Sequence, residues 1–285
     1  MKTINYLMKT EKSIKPKTIT TGSDLHINKK TKQERIQEIL DAIDKTKPTH
    51  ILIPGDLYNV DYETVYGDDT KVSDFLNNAT EIAPVYYVPG DSELKTYILP
   101  EKLTNHSNPN LHILCDTSNK FIETGNIIHQ YTDTATHDDI TISGIKLPQE
   151  YYDMYEFQKI TYLKKLFEEH YFDELNNIDN DKLNILLCHD PFIIKFAEYL
   201  KMMDVVISGH NHGGLFPENK KKLLRFLKAD LDKLYPTYVE GFRKRFNTEY
   251  VISNGVTKFH PDMGILQYLE KKHDGSIDVI RCRKR

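Results

Sequence analysis

The chain has 285 residues, a mass of 33.3 kDa and a net charge of −4 from 38 basic and 42 acidic side chains. A hydrophobic fraction of 39% and a charged fraction of 28% exclude collagen-like and strongly disordered chains. The charge balance argues against wholesale nucleic-acid binding, and no stable nucleic-acid partner is expected.

No apolar run approaches the roughly 18–20 residues of a membrane-spanning helix, and the first twenty residues lack the apolar stretch of a secretory signal. Cys115, Cys188 and Cys282 are too dispersed for a disulfide framework or a zinc knot. A reduced, cytoplasmic chain is the simplest expectation, with peripheral attachment to a membrane as its variant. The length suits one large α/β domain covering residues 1–285.

In chain order, apolar β-branched runs alternate with helical stretches. Residues 17–27, 50–57 and 85–93 read as buried strands, with helices between them over 33–45 and 70–82. In the first helix Ile36, Ile39, Leu40 and Ile43 recur at helical spacing. Strand–helix–strand repetition implies right-handed crossovers and a largely parallel sheet. The middle, with strands over 111–115, 120–130 and 139–147, lacks intervening helices and suggests hairpins or a sheet turning its edge. A helical segment follows over 154–177, then strands over 183–190 and 204–210, and a strand-like tail over 249–255, 264–270 and 276–282. Two β-sheets packed face to face and flanked by helices accommodate this α/β pattern.

Five of the strands end in residues with metal-ligand chemistry: Asp24 and His26, then Asp56, Asp91, His189, and finally His210 and His212. Open α/β sheets bind ligands at the carboxyl ends of their strands. Oxygen and nitrogen donors without a thiolate suit Mn, Fe or Zn better than Ca or Mg alone. Seven ligands exceed one tetrahedral ion and fit two ions sharing a carboxylate. Glycines precede Asp56, Asp91 and His210, where backbone must turn tightly. Any one of these residues alone reads as a turn residue, a helix cap or a structural histidine. The remaining histidines, including His50 and His112, read as ordinary strand-flank or surface residues.

In this order, the segments SDLH (23–26), GDLY (55–58), GDSE (90–93), CHDP (188–191) and SGHNHGG (208–214) resemble the signature of the calcineurin-like metallophosphoesterases. YVEGF (238–242) and YVISNGV (250–256) resemble, more loosely, the closing stretch of a bacterial phosphodiesterase-like branch. The resemblance implies a four-layer αββα sandwich and two divalent metal ions. Asp24, His26 and His212 would hold one ion, Asp91, His189 and His210 the other, and Asp56 would bridge. Asp56, Asp91 and His210 would stand closest to the chemistry, in which a bridging hydroxide attacks phosphorus. Asn211 reads as a structural neighbour of the ligands.

The sequence departs from the family at GDSE. The family usually has Asn at the position of Asp91 and often His at that of Ser92, a histidine associated with protonating the leaving group or holding the phosphate. Asp91 adds a negative charge, which disfavours a dianionic monoester more than a monoanionic diester. Hydrolysis of phosphodiesters in preference to phosphomonoesters is the resulting expectation. Ser92 is a poor general acid near neutral pH. The alternatives are a nucleotide pyrophosphate hydrolase and a catalytically weak metal-binding scaffold of the same fold.

Residues 219–245 carry nine basic and three acidic side chains, and Leu223, Leu224, Leu227, Leu231 and Leu234 form an apolar helical stripe. The segment over 215–245 reads as a basic helical insertion near the active site. It either packs its stripe on the domain or meets an anionic membrane surface. The phosphate-ester substrate belongs to a lipid or nucleotide class that the sequence leaves open. Tyr151, Tyr152 and Tyr155 read as helix-packing residues.

Overall fold

The computed structural model describes residues 1–59, 70–94, 108–115, 132–171, 175, 178–214, 238–257 and 275–285. The described chain forms two mixed six-stranded sheets. The first contains β1 (Lys2–Thr10), β2 (Lys17–Thr21), β3 (His50–Pro54), β4 (Val85–Val88), β5 (Leu111–Ile113) and β12 (Ser276–Lys284), in the order β1-β12-β2-β3-β4-β5. The second contains β6 (Thr132–His137), β7 (Ile140–Ile145), β8 (Leu183–Cys188), β9 (Val205–Ser208), β10 (Gly241–Arg245) and β11 (Thr248–Ile252), in the order β10-β11-β9-β8-β7-β6. Strands β2 to β5 are mutually parallel, as are β7, β8, β9 and β11.

The layering follows from period-two alternation along each buried strand. In β3, Leu52 points between the sheets while Ile51 and Ile53 point out. In β8, Ile185 and Leu187 point between the sheets while Leu186 and Cys188 point out. Ile19, Leu52, Tyr86 and Val88 therefore meet Ile142, Ile185, Leu187 and Ile207 in a central apolar layer. Outside the first sheet lie α1 (Gln33–Lys45) and α2 (Thr70–Ile82), which bury Ile36, Ile39, Leu40, Ile43, Val72, Phe75 and Leu76 against it. The short helix α3 (Asp91–Leu94) follows β4. Outside the second sheet lie α4 (Gln149–Tyr152), α5 (Glu156–Leu166) and a 3₁₀ helix over Pro191–Leu200. The arrangement is the expected four-layer αββα sandwich.

Several expectations change. The Leu111–Ile113 strand runs parallel to β4 as an edge strand, not as part of a hairpin. The hairpin of this region is β6–β7. The strand expected over 17–27 stops at Thr21, and the residues beyond it form the loop that carries Asp24 and His26. The basic segment is not helical to residue 245: Gly241–Arg245 is a strand paired antiparallel with β11. Its leucine stripe lies outside the described residues, as do the strands expected over 120–130 and 264–270. All three cysteines are buried. Among the described residues no helix is long and apolar enough to cross a membrane.

Candidate metal centre

The carboxyl ends of β2, β3, β4, β8 and β9 converge at one end of the sandwich. The loop after β2 lies along the loop after β3: Asp24 N–H donates to the Gly55 carbonyl at 3.2 Å and His26 N–H to that of Asp56 at 3.0 Å. Five of the seven expected ligands adopt positive φ: Asp24 (55°), His26 (48°), Asp56 (53°), His210 (69°) and His212 (44°). Left-handed backbone is costly for residues with a Cβ and concentrates at functional sites. Gly90 is confined by the same crowding, because a Cβ there would overlap Asp56 Oδ1.

The seven side chains are gathered. Ligand atoms of Asp24, His26 and His212 lie within 4.8 Å of one another, as do those of Asp91, His189 and His210, and those of Asp24, Asp56 and His189. Asp56 stands between the first two groups. Its Oδ2 is 3.5 Å from His26 Nε2 and its Oδ1 is 3.3 Å from His189 Nε2. Asp91 Oδ1 is 3.2 Å from His189 Nε2 and 2.9 Å from His210 Nδ1. Asp24 Oδ1 is 3.4 Å from His212 Nε2.

The tautomers of three histidines follow from their outer partners. His189 Nδ1 donates to the Pro54 carbonyl at 2.7 Å, tying the second sheet to the first. His212 Nδ1 donates to the Thr257 carbonyl at 3.1 Å, and His26 Nδ1 to Asn59 Oδ1 at 2.7 Å. Each therefore presents a bare Nε2 lone pair inward when neutral. The Nε2 atoms of His26 and His212 face each other at 3.2 Å. His189 Nε2 is buried without a hydrogen-bond partner. Two imidazole nitrogens facing each other, and a third buried among three carboxylates, suit a cation between them. The residues thus fit a divalent metal pair.

Charge follows the same pattern. Burial disfavours the imidazolium of His189, but Asp56, Asp91 and Asp24 outweigh it and hold its pKa well above the ordinary value. Burial likewise opposes protonation of His210, and Asp91 overcomes it. In His212 burial wins, and the ring is held below its ordinary pKa.

Other residues around the site support the ligands through contacts that local sequence does not show. Ser92 is buried and donates to Asp56 twice, through its N–H to Oδ1 and its hydroxyl to Oδ2, both at 2.9 Å. Glu93 is buried and accepts N–H bonds from Gly90 at 2.7 Å, Asp56 at 3.2 Å and Tyr58 at 3.1 Å. Burial, then the neighbouring Asp56, pushes its carboxyl up to about 8. Asp190 caps the 3₁₀ helix by accepting Phe192 N–H at 2.9 Å, and also binds Lys159 and the Tyr151 hydroxyl at 3.0 Å each. Asn211 donates to the Tyr238 carbonyl at 3.1 Å, matching its structural reading. His50, His112 and His137 pack around Tyr86 at the opposite end of the sheets, away from the centre.

Residues 18–214 match the family described as calcineurin-like phosphoesterase. The chain belongs to that family. It is 26% identical over 255 residues to an uncharacterized metallophosphoesterase of Helicobacter pylori, covering 88% of this chain and 56% of that protein. It is 24% identical over 270 residues to a putative metallophosphoesterase of Caenorhabditis elegans, covering 92% and 47%. The chain therefore spans about half the length of these curated relatives. Among solved structures it resembles a dimetal phosphatase from Danio rerio, with a TM-score of 0.44, 10% identity and coverage of 84% and 87%. It also resembles the NAD nucleotidase of Haemophilus influenzae, with a TM-score of 0.42, 16% identity and coverage of 84% and 45%.

Proposed function

We propose that this calcineurin-like chain is a metal-dependent phosphoric ester hydrolase with a preference for phosphodiesters. The observation that supports this most is the buried Nε2 of His189, which makes no hydrogen bond and lies 3.9, 3.3 and 3.2 Å from the carboxylates of Asp24, Asp56 and Asp91. In this reading Asp24, His26 and His212 would hold one divalent ion, Asp91, His189 and His210 would hold the other, and Asp56 would be shared between them. When bound, such a pair supplies Lewis-acid activation of water and charge neutralisation of the phosphoryl oxygens. Mn, Fe and Zn all suit these donors.

The chain's own residues set the geometry. Carbonyl acceptors fix the rings of His189 and His212, so their Nε2 atoms are aimed before metal arrives. Ser92 fixes both oxygens of Asp56. Asp91, standing where the family usually has Asn, adds one negative charge and disfavours dianionic monoesters. Ser92 is turned to Asp56, so the leaving group departs without help from that position, and good leaving groups are favoured.

Residues 1–285 are read as one domain, acting in the cytoplasm or at a membrane surface. Its substrate is a lipid or nucleotide ester. Purified protein loaded with Mn should hydrolyse bis(p-nitrophenyl) phosphate with a higher kcat/KM than p-nitrophenyl phosphate, and chelation should abolish both. Metal uptake without turnover of any ester would instead favour a scaffold.

A further inference from the structure

Tyr152 closes one side of the Asp91–His189–His210 group. Its ring centroid is 5.3 Å from that of His210 and 6.3 Å from that of His189. From the other direction, the Lys159 ammonium lies 5.7 Å from the same ring centroid and is anchored at 3.0 Å on Asp190. Tyr151 packs edge-on at 5.3 Å, its own hydroxyl bound to Asp190. Helix α4, which ends at Tyr152, rests against the Asp91–Leu94 turn. The ring is thus held by an ammonium, an imidazole and a second phenol.

Its hydroxyl, by contrast, is buried with no hydrogen-bond partner. A buried hydroxyl left unpaired is destabilising, and phenylalanine would fill the same space without that cost. The Tyr87 and Tyr250 hydroxyls are buried without a hydrogen-bond partner as well, and Tyr152 is set apart by its ring contacts with His189 and His210. Among charged groups, Asp91 acts most strongly on the Tyr152 hydroxyl. A neutral O–H donor held beside this ligand group is complementary to an anionic phosphoryl oxygen. The Ser92 hydroxyl, another donor beside the centre, is already committed to Asp56.

We propose that Tyr152 contacts the substrate, its hydroxyl donating a hydrogen bond to a non-bridging phosphoryl oxygen held beside Asp91 and His210. The proposal rests on the reading of this centre as one that binds phosphate esters. No proton leaves the phenol, so the role is donation of a hydrogen bond in both ground and transition states.

The test is Tyr152→Phe in the full chain, loaded with Mn. Three quantities are compared with the parent: metal content, calorimetric affinity for inorganic phosphate, and kcat/KM for bis(p-nitrophenyl) phosphate. The metal-free Tm is measured alongside. The proposal expects unchanged metal content and an unchanged or higher metal-free Tm. It also expects phosphate affinity and kcat/KM each to fall about tenfold. Phosphate affinity within twofold of the parent would overturn it and leave Tyr152 as packing. Loss of metal in the variant would overturn it in favour of a support for the ligands. A parent that binds Mn and phosphate but turns over no ester would contradict the hydrolase reading, while the phosphate affinities would still judge Tyr152.

Discussion

Ser92 holds Asp56 by both carboxylate oxygens, donating from its backbone N–H and its hydroxyl at 2.9 Å each. Asp56 is the carboxylate whose two oxygens face different histidine groups, so its orientation sets the spacing of the whole centre. Ser92→Ala removes the hydroxyl bond and leaves the N–H bond in place. Outer partners of metal ligands are typically worth about 10–100-fold in affinity or activity. Metal affinity of Ser92→Ala, measured by competition with a chelator, should therefore fall about tenfold, with fold and Tm nearly unchanged. Parent-like affinity would show that the hydroxyl does not position Asp56.

Asp91 is predicted to set the diester preference through its charge. Asp91→Asn keeps a ligating oxygen and removes one negative charge. Relative to the parent, kcat/KM for p-nitrophenyl phosphate should rise several-fold against that for bis(p-nitrophenyl) phosphate. A ratio that does not move, with metal content intact, would refute the charge argument.

The strand ends were legible because each couples an apolar β-branched run to an abrupt Gly, Asp or His. Asp24, Asp56, Asp91, His189 and His210 are therefore legible in the sequence as candidates, and the structure brings them together. What escaped notice depends on distant partners. β1 alternates weakly and is stabilised by β12, some 274 residues away in register. The 3₁₀ helix over Pro191–Leu200 was hidden in an apolar stretch with no helical caps beyond Asp190. Glu93 looked like part of a motif, but its three backbone N–H partners come from two separate loops. The positioning role of Ser92 is invisible in local sequence, because its bond to Asp56 crosses 36 residues. Tyr152 resembled any packing tyrosine, since an unpaired hydroxyl leaves no trace in local sequence.

A second buried carboxyl gives a pH prediction away from the metal centre. Asp278 lies in β12, fully buried, with Tyr6 and Ser253 as polar neighbours. Burial pushes its pKa from 3.8 to about 7. The folded chain therefore keeps a proton that the unfolded chain releases. This contribution is fully present below the unfolded pKa and is lost as pH rises through the folded one, a difference of about 4 kcal/mol. Asp278→Asn mimics the protonated carboxyl at every pH. Urea denaturation should show the variant gaining on the parent between pH 4 and pH 8, by up to a few kcal/mol. Parallel pH dependences for the two proteins would contradict the burial of a neutral carboxyl.

The central claim is that two divalent cations sit among Asp24, His26, Asp56, Asp91, His189, His210 and His212. Elemental analysis of protein purified without chelator, beside His189→Ala and Asp24→Ala, tests it most directly. The account predicts close to two equivalents of Mn, Fe or Zn per chain in the parent. It predicts about one or fewer in each variant, with hydrolysis of bis(p-nitrophenyl) phosphate lost in parallel. A folded parent that takes up no divalent metal, even when these ions are supplied, would contradict it.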